Sequence, residues 1–154
     1  MNEAEVTIDG ERRESLERMF NERAPIAKTF GMRLSYDDHG RALLRLPYNP
    51  ALDHAGHGVH GGVLMTMLDN AGWFTCALAY ESGLVLTSEF TVHLLRPASQ
   101  ATLIATAEII KAGRRQNVAE MRCRDDLGNL VAHAVGTFVN VDSGERNRSV
   151  SLRE

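Results

Sequence analysis

Between Leu52 and Trp73 the chain reads LDHAGHGVHGGVLMTMLDNAGW. Three histidines and four glycines stand directly before a long apolar run, and that run carries one carboxylate, Asp69. An apolar segment has no structural use for an unpaired buried charge, which is costly to desolvate. Asp69 has only Met65 and Trp73 four residues away on either side, so no helical neighbour neutralises it. Either a hydroxyl or backbone donor from a strand satisfies it, or it is a base or nucleophile tuned by its surroundings. The glycines 56, 58, 61 and 62 lie where the apolar run begins. A helix start offers unpaired N–H groups and a partial positive charge, which suits an anion or a developing oxyanion. The same glycines could instead serve close packing, and spacing leaves both readings open.

Those residues must be held by a helix. The segment from about Val59 to Tyr80 is apolar nearly all round, the pattern of a central helix wrapped by other elements. Gly61 and Asp69 are eight residues apart on it, about 12 Å along the axis at 1.5 Å per residue. One carbonyl cannot touch both. A second chain with an antiparallel helix could bring its Gly61 to this Asp69, so a composite site needs a dimer interface.

The other elements follow from periodicity. ERRESLERMFNERAP carries Leu16, Met19 and Phe20 on one helical stripe, closed at Pro25. FGMRLSYDDHGRALLRLPY reads as a hairpin turning at Asp37 to Gly40. Four strand patterns follow the long helix: LVLTSEFTVHLLRP, ATLIATAEIIKAG, RQNVAEMRCRDD and LVAHAVGTFVNV. Short connections favour antiparallel pairing. The order is one helix, two strands, one buried helix and four strands. One antiparallel sheet curled around the helix satisfies it, an α+β layout. Such a sheet leaves part of the helix or a sheet edge for another subunit, which predicts a homodimer.

Composition narrows the class. Of 154 residues, 44% are apolar and 24% charged, which fits one globular domain with a real core. A net charge of −3 argues against a general nucleic-acid partner. The polar, acidic start MNEAEVTIDGERRE lacks the form of a signal peptide, and no apolar run is long enough to span a bilayer, so a cytoplasmic protein without a membrane partner is expected. Cys76 and Cys123 fit no metal or redox spacing and are expected as reduced core residues. His54, His57 and His60 are spaced by three in a loop, a pattern that matches no standard zinc site, so no metal and no cofactor are expected. His60 reads as a helix-start residue that fixes the loop. His93 and His133 fall on strand patterns and read as ordinary surface or core residues.

GVHGGVLMTMLDNAGW, with its Asp nine residues after the histidine of HGG, resembles the hotdog-fold thioesterases of the phenylacetate-pathway (PaaI-like) type. TSEFTVHLLRPA and GNLVAHAVGTFVNV resemble that family's following and last strands. The resemblance covers about residues 30 to 141. With the N-terminal helical pattern and the polar end DSGERNRSVSLRE, this gives an expected helical extension over 1–28, a hotdog domain over 29–141 and a polar tail over 142–154. The resemblance implies homodimers, often paired into homotetramers, that hydrolyse acyl-CoA thioesters. The Gly61 N–H would polarise the carbonyl, and Asp69 of the other subunit would activate water or attack directly. His60 and His54 complete the catalytic candidates; His54 stands where many members carry Asn, and Asn49 lies five residues earlier. Gly62, Thr87 and Ser88 are candidates at the substrate, the last two for positioning water. CoA phosphates call for cations, and Arg96, Arg114 and Arg115, beside Lys111, supply them. Two other readings use the same residues: a non-hydrolytic acyl-CoA binding or sensing protein, and a hydratase or dehydratase pairing His54 or His60 with Asp69.

Overall fold

The computed structural model describes residues 10–141. The expected polar tail, 142–154, lies outside them. Six strands form one antiparallel sheet: β1 (Arg33–Tyr36), β2 (Ala42–Leu46), β3 (Val85–Leu94), β4 (Leu103–Ala112), β5 (Gln116–Asp125) and β6 (Leu130–Asn140). Their order across the sheet is β1-β2-β4-β5-β6-β3. The long helix α3 (Gly61–Leu78) leaves the chain between β2 and β3 and packs across β2 to β6. This is the curled sheet around one helix that the sequence pattern predicts. The β1–β2 turn falls as expected, with Asp37 accepting from the Arg41 and His39 backbone N–H groups and Gly40 at φ 75°.

One face of each strand builds the core. On β5, Ala119, Met121 and Cys123 point inward and are fully buried, while Glu120 and Arg122 point outward. Gly72 of α3 faces Phe138 of β6 so closely that a methyl group there would collide with the ring. Helix and sheet therefore meet backbone to ring at the centre of the core. Cys76 and Cys123 are buried and not joined in a disulfide, and burial pushes the Cys123 thiol up to about 12.

Residues 10–30 contribute to the same core. Helix α1 (Gly10–Arg18) continues into a five-residue π-helical turn, Met19–Arg23, and then α2 (Pro25–Phe30). Leu16, Phe20 and Ala27 are buried in the common cluster. Asn21 fastens the π turn to β1, donating to the Leu34 carbonyl at 2.9 Å and accepting from the Leu34 N–H at 2.8 Å.

The helix departs from its sequence pattern in one respect. It is apolar nearly all round, yet it is not covered all round. Val63, Leu64, Met67, Leu68, Ala71 and Phe74 are buried, but Gly62, Met65, Thr66, Asp69, Asn70 and Trp73 keep solvent exposure. Those positions advance by three and four, so they form one stripe along α3. The sheet curls around the opposite side only. β3 is likewise incomplete: ten residues long, it pairs with β6 on one side and has no neighbour on the other among the described residues.

Candidate functional site

Helix α3 runs antiparallel to β3, so successive residues of the two elements meet. Gly61 lies against Leu94, Asp69 hydrogen-bonds Thr87, and the Trp73 indole donates to the Val85 carbonyl at 2.7 Å. The Thr87 hydroxyl donates to Oδ1 of Asp69 at 2.7 Å. Oδ2 has no partner among the described residues. Burial pushes the Asp69 carboxyl above the usual aspartate range, and the Thr87 hydrogen bond pulls it part of the way back. Here is a half-buried carboxylate whose shift owes nothing to a neighbouring cation, one oxygen fixed and one oxygen unpaired among the described residues.

A β-bulge aims Thr87 at Asp69. The register of β3 on β6 passes from Thr87↔Phe138 to Glu89↔Thr137, leaving Ser88 as the extra residue. Thr87 faces the helix, whereas Ser88 is exposed and donates to the Thr137 carbonyl at 3.3 Å. Glu89 follows on that same outer face, accepting from the Thr137 hydroxyl at 2.7 Å. Bulges re-aim side chains in this way beside functional sites. The structure thus brings Thr87 to Asp69 and turns Ser88 away.

At the helix start, His60 is the N-cap. Its Nδ1 accepts from the Gly62 N–H at 2.9 Å, so the neutral ring carries its proton on Nε2. The Val63 N–H is taken by the His60 carbonyl at 2.9 Å. That leaves the Gly61 N–H, the first of the helix, with no acceptor among the described residues. His54 sits in the preceding loop, where its Nδ1 accepts from the Gly56 N–H at 2.9 Å and its N–H donates to the Gly58 carbonyl at 2.8 Å. Side chains at Gly56 or Gly58 would meet the His54 ring, and one at Gly61 would meet Leu94. The glycines therefore make room for close neighbours, and Gly61 itself keeps partial solvent exposure. Among the described residues no group of three or more histidines, cysteines or acids could hold a metal ion.

The cations are dispersed. Arg96 follows β3 near the Gly61 end, where its charge helps lower the Asp125 carboxyl, chiefly held down by Asn129. Arg114 and Arg115 are exposed in the β4–β5 turn at the other end of the sheet, where Gly113 accepts from the Tyr80 hydroxyl. Ten residues of β5 separate the two ends, about 30 Å at strand rise. One chain does not gather these arginines around one phosphate group. His133 lies on the outer face, its Nε2 2.8 Å from Glu120 and its ring stacked on His93. That pair is remote from Asp69.

A cavity of about 320 Å³ opens beside Asp69. Met19, Phe20, Arg23, Ala24 and Ile26 of the N-terminal segment line it on one side, and Asn70, Trp73 and Phe74 of α3 line it beside Asp69. The periodic reading of that segment did not reach this cavity. A π turn has no simple sequence signal, and it is the turn that leaves Met19 partly exposed while burying Phe20.

The family model of the thioesterase superfamily matches residues 56–132, half of the chain, from the glycine-rich loop through α3 to the start of β6. The chain belongs to the thioesterase superfamily. A thioesterase family protein from Silicibacter pomeroyi is 30% identical, with a TM-score of 0.74 over 82% of this chain and 96% of that one. The PaaI protein of the Escherichia coli phenylacetic acid degradation operon shares the fold, with a TM-score of 0.77 over 88% and 96% at 22% identity. A protein of Saccharolobus solfataricus that carries an esterase name is 23% identical over 124 residues, 80% of this chain and 89% of its own. The fold is the hotdog fold, and at the level of the superfamily the chain is a thioester hydrolase. Asp69 and the Gly61 N–H lie on this chain's one long helix, about 12 Å apart along its axis. Among its described residues no helix is long and apolar enough to cross a membrane.

Proposed function

We propose that this thioesterase hydrolyses acyl-CoA, with each active site shared by two subunits. The observation that carries the reading is the Thr87–Asp69 pair on the uncovered stripe of α3. The carboxylate is desolvated, oriented through Oδ1 and unpaired at Oδ2, the state wanted in a base or nucleophile. The complementary group is the unpaired Gly61 N–H, which supplies an oxyanion donor. The two are separated by about 12 Å of helix, so a partner must contribute one of them.

The open edge of β3, with Leu86 and Leu94 exposed, supports that partner. A long unpaired strand invites another strand. Antiparallel pairing of two β3 edges about a two-fold axis would run the two α3 helices antiparallel, Gly61 of one chain toward Asp69 of the other. In this arrangement the thioester carbonyl lies against the partner's Gly61 N–H. In one branch Asp69 takes a proton from the water that adds to the carbonyl carbon, the C–S bond breaks and that proton passes to the departing thiolate, giving the free acid and CoA. In the other Asp69 itself adds, the thiolate leaves and takes a proton from water, and a second water hydrolyses the acyl–aspartyl anhydride. Thr87 is a positioning residue for Asp69. His60 keeps the Gly62 N–H occupied and fixes the helix start, and His54 braces the loop. Gly62 admits the His60 ring, Ser88 lies on the outer face, and Arg96, with Arg114 and Arg115 contributed from the partner's far end, supplies the cations for CoA phosphates.

The test is thiol release from a panel of acyl-CoAs by wild type and Asp69→Ala. Release from wild type should fall by about 10²–10⁴-fold in the variant. Release that is equal in both would remove Asp69 from the reaction. Binding of CoA esters without any release from wild type would leave an acyl-CoA binding protein instead.

A further inference from the structure

We infer that the cavity beside Asp69 receives the acyl group, and that the N-terminal segment Met19–Ile26 sets which acyl groups fit. The inference rests on the proposed acyl-CoA reading for its ligand, but on independent geometry for its place. Asp69, Asn70 and Arg23 are the polar residues of the cavity's lining, and the rest are apolar side chains. A thioester whose carbonyl meets Asp69 Oδ2 has two directions for its substituents, and the acyl side has an apolar cleft ready for it. At about 320 Å³ the cleft lies at the small end of ligand pockets. Within one chain that size suits a short to medium alkyl or single-ring aryl acyl group.

The walls differ in character. The α3 wall is rigid: Trp73 is held by its indole N–H on Val85, and Phe74 is locked edge-to-face against Trp73 at 4.6 Å and Phe20 at 5.1 Å. The opposite wall is set by the π turn, a conformation that recurs at functional sites. Asn21 anchors that turn to β1 through both polar groups of Leu34, so Ala24 and Ile26 are presented at fixed depth. Ala24 is extended, φ −73° and ψ 115°, the conformation favoured before proline and one that larger side chains also adopt. Size at positions 24 and 26 is therefore the chemical variable that selects the acyl group.

Trp73 is the chain's single tryptophan, which gives a readout independent of turnover. Octanoyl-CoA titrated into Asp69→Asn should shift Trp73 emission, and CoA alone should not. In steady-state kinetics, Ala24→Leu should lower the ratio of kcat/KM for octanoyl-CoA to that for acetyl-CoA by about tenfold. Ile26→Ala should move the preferred chain length upward. An unchanged emission at octanoyl-CoA concentrations that saturate hydrolysis overturns the inference. So does an unchanged chain-length profile in both variants. If wild type releases no thiol from any ester, the hydrolytic reading fails alone where octanoyl-CoA still shifts Trp73, and the pocket fails with it where it does not.

Discussion

Asp69 costs the fold something in its ionised form, and the sign of that cost is testable. Its folded-state carboxyl titrates above the usual aspartate range because of burial. The folded protein thus holds that proton more tightly than the unfolded chain does. Stability from this group falls as pH rises through the window between the unfolded and the folded values, and stays lower at neutral pH. Asp69→Asn should therefore raise the melting temperature at pH 7, with the gain shrinking toward acid pH. Activity moves the other way: the reactive form is the carboxylate, so kcat should fall as pH drops through the raised value. A melting temperature that drops in Asp69→Asn would contradict the burial argument. Gly61 offers a second test. It is the first residue of α3, where proline is tolerated, and His60 before it already has φ −62° and ψ 135°. Gly61→Pro deletes the proposed oxyanion donor, while Gly61→Ala keeps the donor and makes the same contact with Leu94. We expect kcat lower by about 10²–10³-fold in the proline variant than in the alanine variant. Equal rates in the two would exclude the Gly61 N–H.

Among the elements, α3 bears the largest demand, because it must be both core and site. Its buried side is set by close approach to the sheet at Gly72, where Phe138 fills the space a side chain would take. Gly72→Ala gains helix propensity, about 1 kcal/mol, but forces a methyl group into the Phe138 ring and toward Met121. Overpacking of this kind costs about 1–3 kcal/mol, so the variant should unfold at lower urea with m unchanged. A midpoint above wild type would show that the ring moves aside freely. β3 carries the complementary task. Its bulge at Ser88 lets Thr87 face the helix while Glu89 faces outward. Sequence alternation from Phe90 onward marks the inward face, but the extra residue cannot be read from alternation, and Thr87 and Ser88 looked equivalent for that reason.

For the molecule as a whole, the shared-site proposal makes a quantitative demand. Asp69→Ala lacks the carboxylate and Gly61→Pro lacks the donor, so each homodimer should be nearly inactive. Unfolding and refolding an equal mixture should give dimers of which about half are mixed, each holding one intact site of two. Activity should return to about a quarter of wild type. No recovery, with mixed dimers verified by mass, would refute sharing between subunits. The same two-fold arrangement would cover the open stripe of α3 and the free edge of β3 together.

Much of this protein was determined by its local sequence. Strand alternation, the hairpin turn, the one long apolar helix and the isolated Asp69 are short-range properties, and each follows from periodicity or from the cost of a lone charge. The spacing of Gly61 and Asp69 is likewise fixed by helix rise alone. What only the tertiary structure decided depends on which elements meet. Curling of the sheet left one stripe of an all-apolar helix uncovered, the bulge chose Thr87 over Ser88 as the partner of Asp69, and His60 took the Gly62 N–H rather than that of Gly61. The length of β5 put Arg96 and the Arg114–Arg115 pair at opposite ends of the sheet. The N-terminal π turn brought Met19, Ala24 and Ile26 to the edge of the site. These are long-range contacts between segments whose own patterns carry no record of one another.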